Sequence, residues 1–178
     1  MSFHILFVCV GNIQRSVIAE RAFRNILFEK GITDVHVFSR GIQGYQGIKP
    51  PEHLCLKDYP AVWEASRYVL EELGISLDGH QAAPICLSDV EQAHVIIAME
   101  ESVLSGPIVG EKRVSGLWDL FPAYRSKMHC FGELDGSSGL QDCGDSKRRE
   151  THEEMIRSLV QILQSRYEII FDWIRPPP

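Results

Sequence analysis

The sequence has no apolar run long enough to cross a bilayer. Its first residues lack the basic start and small-residue cleavage site of a signal peptide. An excess of positive charge is missing too. With 18 Lys and Arg against 24 Asp and Glu, the net charge is −6, which argues against general nucleic-acid or membrane-surface binding. Any attraction for an anion must then be local. Paired CxxC cysteines are absent. The five that exist, Cys9, Cys55, Cys86, Cys130 and Cys143, are odd in number and scattered, which favours a reducing, cytoplasmic compartment over a disulfide framework. The seven histidines show no ligand spacing, so structural zinc is not expected. No repeat and no shift in composition marks a boundary, and residues 1–178 are read as one domain.

What is present is concentrated near the start. Residues 5–11 are almost wholly apolar, as a strand covered on both faces should be. Gly11 and Asn12 follow, two residues that tolerate the positive φ of a sharp loop. From Ser16 to Glu29, apolar residues at Ile18, Ala19, Ala22, Phe23, Ile26 and Leu27 make one helical stripe that Gly31 can end. A strand running through a tight loop into a helix N-terminus aims several backbone N–H groups, and the positive end of the helix dipole, at one spot. Cys9 stands at the entrance to that spot and Arg15 at its exit. Both the dipoles and the guanidinium favour a thiolate, and a guanidinium fork fits two oxygens of a phosphate-like group. The pattern points to a thiolate nucleophile beneath a bound phosphoryl group. Cys143 and Arg149 repeat the six-residue spacing without a preceding strand and with Asp145 between them; an acid inside an anion cradle would repel the ligand, so that pair is read as coincidence.

Further along, residues 35–39 read as a second strand. The Gly- and Pro-rich loop at 41–59 follows a strand, so Tyr45 and His53 are candidates for the substrate entrance. Pro60 opens a helix whose face carries Val62, Ala65, Val69 and Leu73. A third strand is predicted over 94–99, a short helix from Glu100, and a fourth strand over 114–120. Residues 123–149 are polar and glycine-rich, and a final helix runs from about Arg148 to Trp173, halted by the prolines at 176–178. Alternating strands and helices predict an α/β fold, a parallel sheet with helices on both faces.

The stretch Val8-Cys9-Val10-Gly11-Asn12-Ile13-Gln14-Arg15-Ser16, with Ile18-Ala19-Glu20 after it, resembles the signature of the low-molecular-weight protein tyrosine phosphatases. Ser39-Arg40-Gly41, the segment from Leu73 to His80, and the strand from Ala93 to Met99 resemble further parts of that family. The resemblance implies four parallel strands in a flavodoxin-like arrangement. It implies a phosphate-binding loop of Val10, Gly11, Asn12, Ile13, Gln14, Arg15 and Ser16, braced by His80. It also implies a phosphocysteine intermediate on Cys9, with Ser16 assisting the sulfur and Asn12 fixing the loop's shape. No metal or organic cofactor is called for. The expected substrates are a phosphorylated protein or a small aryl phosphate.

Displacing an aryloxide from phosphorus also needs a proton donor. Asp135, Asp142 and Asp145 all lie on the polar loop, and composition does not choose among them. The resemblance does: the family's acid belongs to an Asp-Pro pair shortly before the last helix, which selects Asp142. Cys143 then stands where that family has proline, and the aromatic residue that commonly follows is missing. Gln14 replaces a frequent second cysteine, so disulfide protection of the nucleophile is not expected, and Val17 replaces a common proline. Two alternatives stand beside a tyrosine phosphatase. One is a phosphoprotein-binding pseudophosphatase, motivated by the lost pair. The other is a thiol-dependent arsenate reductase, which would need further thiols close to Cys9.

Overall fold

The computed structural model describes residues 2–140, 142–144 and 146–174. Asp145 and the closing prolines named above lie outside them. β1 (Phe3–Cys9) leads through the loop at residues 10–14 into α1 (Arg15–Glu29). β2 (Val35–Gly41) follows, then α2 (Pro60–Glu72), α3 (Leu87–Gln92), β3 (Val95–Ala98) and α4 (Glu101–Ser105). A small hairpin of β4 (Ile108–Val109) and β5 (Lys112–Arg113) precedes α5 (Leu117–Leu120), β6 (Met128–Cys130) and the long α6 (Arg149–Ile174).

Four strands form one sheet in the order β2-β1-β3-β6, and every pairing in it is parallel. Parallel neighbours need crossovers, and these put helices on both faces. Strand alternation in β1 divides the interior. Ile5, Phe7 and Cys9 point into a core shared with α1, α2 and α6, while Leu6 and Val8 point into a second core with α3, α4 and α5. Residues 5–8 are fully buried, which accounts for their continuous apolar run. The open end of the sheet, where β1 and β3 stop, receives the loops after both strands and the segment after β6.

The fourth strand corrects the sequence reading. Residues 114–120 form no strand; Leu117–Leu120 is a helical turn whose Leu117 fills the second core. The sheet is completed instead by Met128–Cys130, inside the stretch read as a polar loop, where it pairs with Ile96, Ile97 and Ala98. Met128 and Cys130 are its buried positions, so two residues suffice to cover the sheet there.

Candidate active site

The loop after β1 is shaped by Asn12. Its backbone sits at φ +58°, a conformation that asparagine tolerates, and its fully buried side chain ties four segments together. Nδ2 donates to Ser16 Oγ at 3.0 Å and to Ser39 Oγ at 2.9 Å, and Oδ1 accepts from the Ala83 N–H at 3.1 Å. Ser39 passes its own proton to Glu20 at 2.6 Å. The Asn12 carbonyl, which can only accept, takes a proton from His80 Nε2 at 2.8 Å. His80 is thereby hydrogen-bonded to the backbone of the loop.

The Cys9 sulfur lies at the floor of this loop. The Asn12 N–H donates to it at 3.2 Å, and Ser16 Oγ is 3.0 Å away. Ser16 Oγ also accepts from Asn12 and keeps one O–H donor and a second lone pair, so either atom of the Ser16–Cys9 pair can be the donor. Ser16 is no helix cap: α1 begins one residue earlier, at Arg15. Gly41, at the end of β2, packs directly behind the loop; a Cβ there would lie 2.8 to 2.9 Å from backbone atoms of Val10, Gly11 and Asn12.

Arg15 is 3% exposed. Nη1 donates to Glu100 Oε1 and to the Leu140 carbonyl, both at 2.8 Å, and Nη2 donates to Asp142 Oδ2 at 3.0 Å. Among the described residues these bonds use both protons of Nη1 and one of Nη2, leaving Nε–H and a second Nη2 proton for an oxyanion. Burial works against the charged guanidinium, but the Cys9 sulfur and the Asp142 and Glu100 carboxylates outweigh it and hold Arg15 above its ordinary value.

Asp142 reaches this point because the segment after β6 docks on the end of β3. The Leu140 N–H donates to the Met99 carbonyl at 2.8 Å. Gly139 fits against Glu100 and Met99 at φ +101°, where a side chain would strike backbone. Asp142 Oδ1 then accepts from the Gly144 N–H at 3.0 Å. Cys143 turns inward onto the first core, and its thiol donates to the Thr151 carbonyl at 3.6 Å.

These groups border a cleft of about 280 Å³. It is lined by Cys9, Val10, Gly11, Ile13, Gln14, Arg15, Asp142 and Gly144, by the largely apolar group of Pro51, Leu56, Tyr59 and Val62, and by Gln43 and Glu52. Of the predicted phosphate-loop residues, Asn12 and Ser16 do not line it; both are buried behind it. The side chain of Gln14 also turns inward, to Ser66 and His152. Nor do Tyr45 and His53 border the cleft. Tyr45 packs on Phe121 at 5.2 Å in the second core, and His53 stands edge-on behind Tyr59 at 5.1 Å. Tyr59, Glu100 and His152 are the residues that sequence reasoning passed over. For Glu100 the signal was the first of two adjacent carboxylates after an apolar strand; for His152 it was a polar residue on the apolar stripe of α6.

No helix of the described residues is long and apolar enough to cross a membrane, and no group of their side chains could hold a metal ion. The sequence matches the family model of low molecular weight phosphotyrosine protein phosphatases over residues 4–157. It is 35% identical over 97 residues to the low molecular weight protein-tyrosine-phosphatase YfkJ of Bacillus subtilis, covering 54% of this chain and 55% of that one. Over 104 residues it is 33% identical to the human low molecular weight phosphotyrosine protein phosphatase, 56% of each chain. The chain thus spans about half the length of the curated relatives it matches. Among solved structures, a YwlE mutant from Bacillus subtilis superposes with a TM-score of 0.68 at 26% identity, over 96% of this chain and 99% of that one. The low molecular weight protein tyrosine phosphatase from T. tengcongensis, 23% identical, shares the fold with a TM-score of 0.69, over 94% of this chain and 99% of that one. With the phosphate loop, the sheet order and a match across most of its length in agreement, the chain belongs to the low molecular weight phosphotyrosine protein phosphatase family.

Proposed function

We propose that this chain is a cysteine-dependent phosphomonoester hydrolase acting on phosphotyrosine, in proteins or as small aryl phosphates, in a reducing cytoplasm and as one domain over residues 1–178. The observation that carries the reading is the convergence of Cys9, Arg15 and Asp142 on one cleft, with Asp142 held 3.0 Å from the guanidinium. Cys9 attacks phosphorus in line and forms the phosphocysteine. Arg15 and the backbone N–H groups of residues 10–15 hold the equatorial oxygens as charge spreads over them. An oxyanion on the Nε–H and second Nη2 proton of Arg15 shares the guanidinium's charge and loosens its hold on the Asp142 carboxyl group. Asp142 gives a proton to the leaving oxygen and then, as carboxylate, draws one from the water that cleaves the intermediate. The Ser16 hydroxyl supports the sulfur as it leaves.

The apolar group of Pro51, Leu56, Tyr59 and Val62 suits an aromatic ring, which favours a tyrosyl leaving group. Three of the four other thiols have partners of their own: Cys86 with Asp89, Cys130 with the Ser138 carbonyl, and Cys143 with Thr151. Those contacts weigh against thiol relay to arsenate. The position of Asp142 weighs against a binding-only role. The test is hydrolysis of aryl phosphates and phosphotyrosine peptides by wild type and Cys9→Ser, with phosphoarginine peptides alongside because a related fold is that of YwlE arginine phosphatase. Hydrolysis of aryl phosphates is expected for wild type only, with phosphate binding retained by Cys9→Ser. Turnover by the serine variant removes Cys9 as nucleophile, and phosphate binding without turnover by wild type selects the binding-only reading.

A further inference from the structure

α6 carries one histidine among its core-facing residues. His152, fourth in the helix, shares a face with Met155, Ile156 and Leu159 and is fully buried like them. An apolar side chain would fill such a position without the desolvation that an imidazole brings. Both ring nitrogens are matched. Nε2 is 2.8 Å from the Ser146 carbonyl, and Nδ1 is 3.0 Å from Gln14 Nε2.

The direction of these bonds is fixed by their ends. The Ser146 carbonyl can only accept, so His152 Nε2 carries a proton, and in the neutral ring Nδ1 accepts. Ser66 gives its proton to the Val62 carbonyl at 2.7 Å, so its oxygen can only accept from Gln14 Nε2, 2.9 Å away. The Gln14 amide must therefore present its NH2 group to Ser66 and to His152 together. The chain of donors runs in one sense, with Gln14 giving to both Ser66 and His152 and His152 giving to Ser146.

Through this chain three segments are fastened to one another. Gln14 immediately precedes Arg15, Ser66 belongs to α2, and Ser146 lies four residues past Asp142. The Ser146 N–H donates to the Cys143 carbonyl at 3.1 Å, and the Gly144 N–H donates to Asp142. We propose that His152 is a positioning residue that holds the acid-bearing loop in register with the phosphate loop, through Ser146 on one side and Gln14 on the other. The proposal rests on the reading of Asp142 as the acid. It supplies rigidity to a loop that has Cys143 next to its acid.

Two substitutions separate the two bonds. In His152→Asn the amide falls where Nδ1 stood and can still accept from Gln14, but it does not reach Ser146. In His152→Gln the amide falls where Nε2 stood and can still donate to Ser146, but the Gln14 contact is lost. The readouts are kcat/KM across aryl phosphates of increasing leaving-group pKa, the inhibition constant of inorganic phosphate, and the rate of tryptic cleavage at Lys147, Arg148 and Arg149, all exposed in the same loop or at the helix start. For His152→Asn the expected result is a loss of about tenfold on phenyl phosphate against about twofold on p-nitrophenyl phosphate. Phosphate inhibition should be unchanged and tryptic cleavage faster. His152→Gln should keep the wild-type leaving-group dependence and cleavage rate while binding phosphate more weakly.

If both variants lose activity evenly across the series, or both lose phosphate binding alike, His152 is ordinary core filling and the proposal is wrong. Should His152→Asn fail to fold, His152→Gln decides alone, because a steepened leaving-group dependence in it overturns the assignment. If wild type hydrolyses no aryl phosphate, the phosphatase reading fails by itself, and the tryptic comparison still decides whether His152 holds the loop.

Discussion

Arg15 and Glu100 form a charge-assisted hydrogen bond of 2.8 Å between Nη1 and Oε1, with the guanidinium almost wholly buried and the carboxylate 22% exposed. Glu100 lies two residues past the end of β3, so the strand end sets where the guanidinium lies. Together with the Leu140 and Asp142 bonds, the Glu100 bond leaves Nε–H and one Nη2 proton without a partner among the described residues. Glu100→Gln keeps the shape and removes the charge. Asp142 remains as a partner and Glu100 is partly solvated, so the stability loss should be modest, about 1–2 kcal/mol in urea unfolding. The larger effect should fall on phosphate inhibition, weakened about fivefold to tenfold as Arg15 loses its fixed angle. Unchanged inhibition by phosphate would mean that Leu140 and the loop alone orient Arg15.

Asp142 sits with one oxygen on Arg15 and the other on the Gly144 N–H, and its side chain is about half exposed. Water can therefore reach it, as the second step requires. Asp142→Asn keeps both contacts possible in size but has no proton to give or take. A fall in kcat/KM of about 10²–10³ on phenyl phosphate is expected, with a smaller fall on p-nitrophenyl phosphate. Parallel loss on both substrates would point to a role in holding Arg15 instead of proton transfer.

Gly41 shows that the phosphate loop depends on the strand beside it. Its missing side chain lets β2 approach the backbone of Val10, Gly11 and Asn12; a methyl group would sit 2.8 to 2.9 Å from those atoms, and none of them is a side chain that can rotate away. Gly41→Ala should therefore displace the loop. A stability loss of about 1–3 kcal/mol is expected, together with loss of calorimetric phosphate binding while the far-UV circular dichroism stays native. Normal phosphate affinity in a folded Gly41→Ala would show that the loop adapts.

The part of the chain from Ile5 to Leu27 was legible because strand, loop and helix follow one another there, and each residue's role is settled by its neighbours in sequence. The same holds for the start of α6. β6 was not legible. Met128-His129-Cys130 carries no alternation that stands out from its polar surroundings, and it is a strand only because the open edge of β3 pairs with it. The more apolar 114–120 stretch lost that place because Leu117 had a core to fill from a helical turn. Arg15 is read from the sequence as an anion ligand, yet its partners Glu100 and Leu140 lie 85 and 125 residues away, joined to it by the sheet and not by any spacing. Tyr45 and Tyr59 illustrate the same limit. Both sit in or next to one glycine- and proline-rich loop, and only the packing of Tyr45 on Phe121 leaves the cleft wall to Tyr59.

At the far end of the sheet, His4 stacks between His36 and His94, with ring centroids 5.1 and 5.9 Å away, because the three strands bring these positions level. His94 Nδ1 accepts from the His4 N–H at 3.2 Å. Burial, then the neighbouring His36 and His94, lower the His4 pKa below its ordinary 6.5. Below pH 6.5 the unfolded chain takes up a proton at this position that the folded chain resists, so acidification favours unfolding. The contribution is complete above pH 6.5 and is lost as the pH falls from there through the lowered folded value. His36→Gln removes one of the two repelling imidazoles and should make stability less sensitive to acid. The measurement is the difference in urea midpoint between pH 7.5 and pH 5.5 for each protein, in which carboxylates common to both cancel. A smaller difference is expected for His36→Gln than for wild type. An equal or larger difference would show that His36 does not lower the His4 value, leaving it to burial and His94.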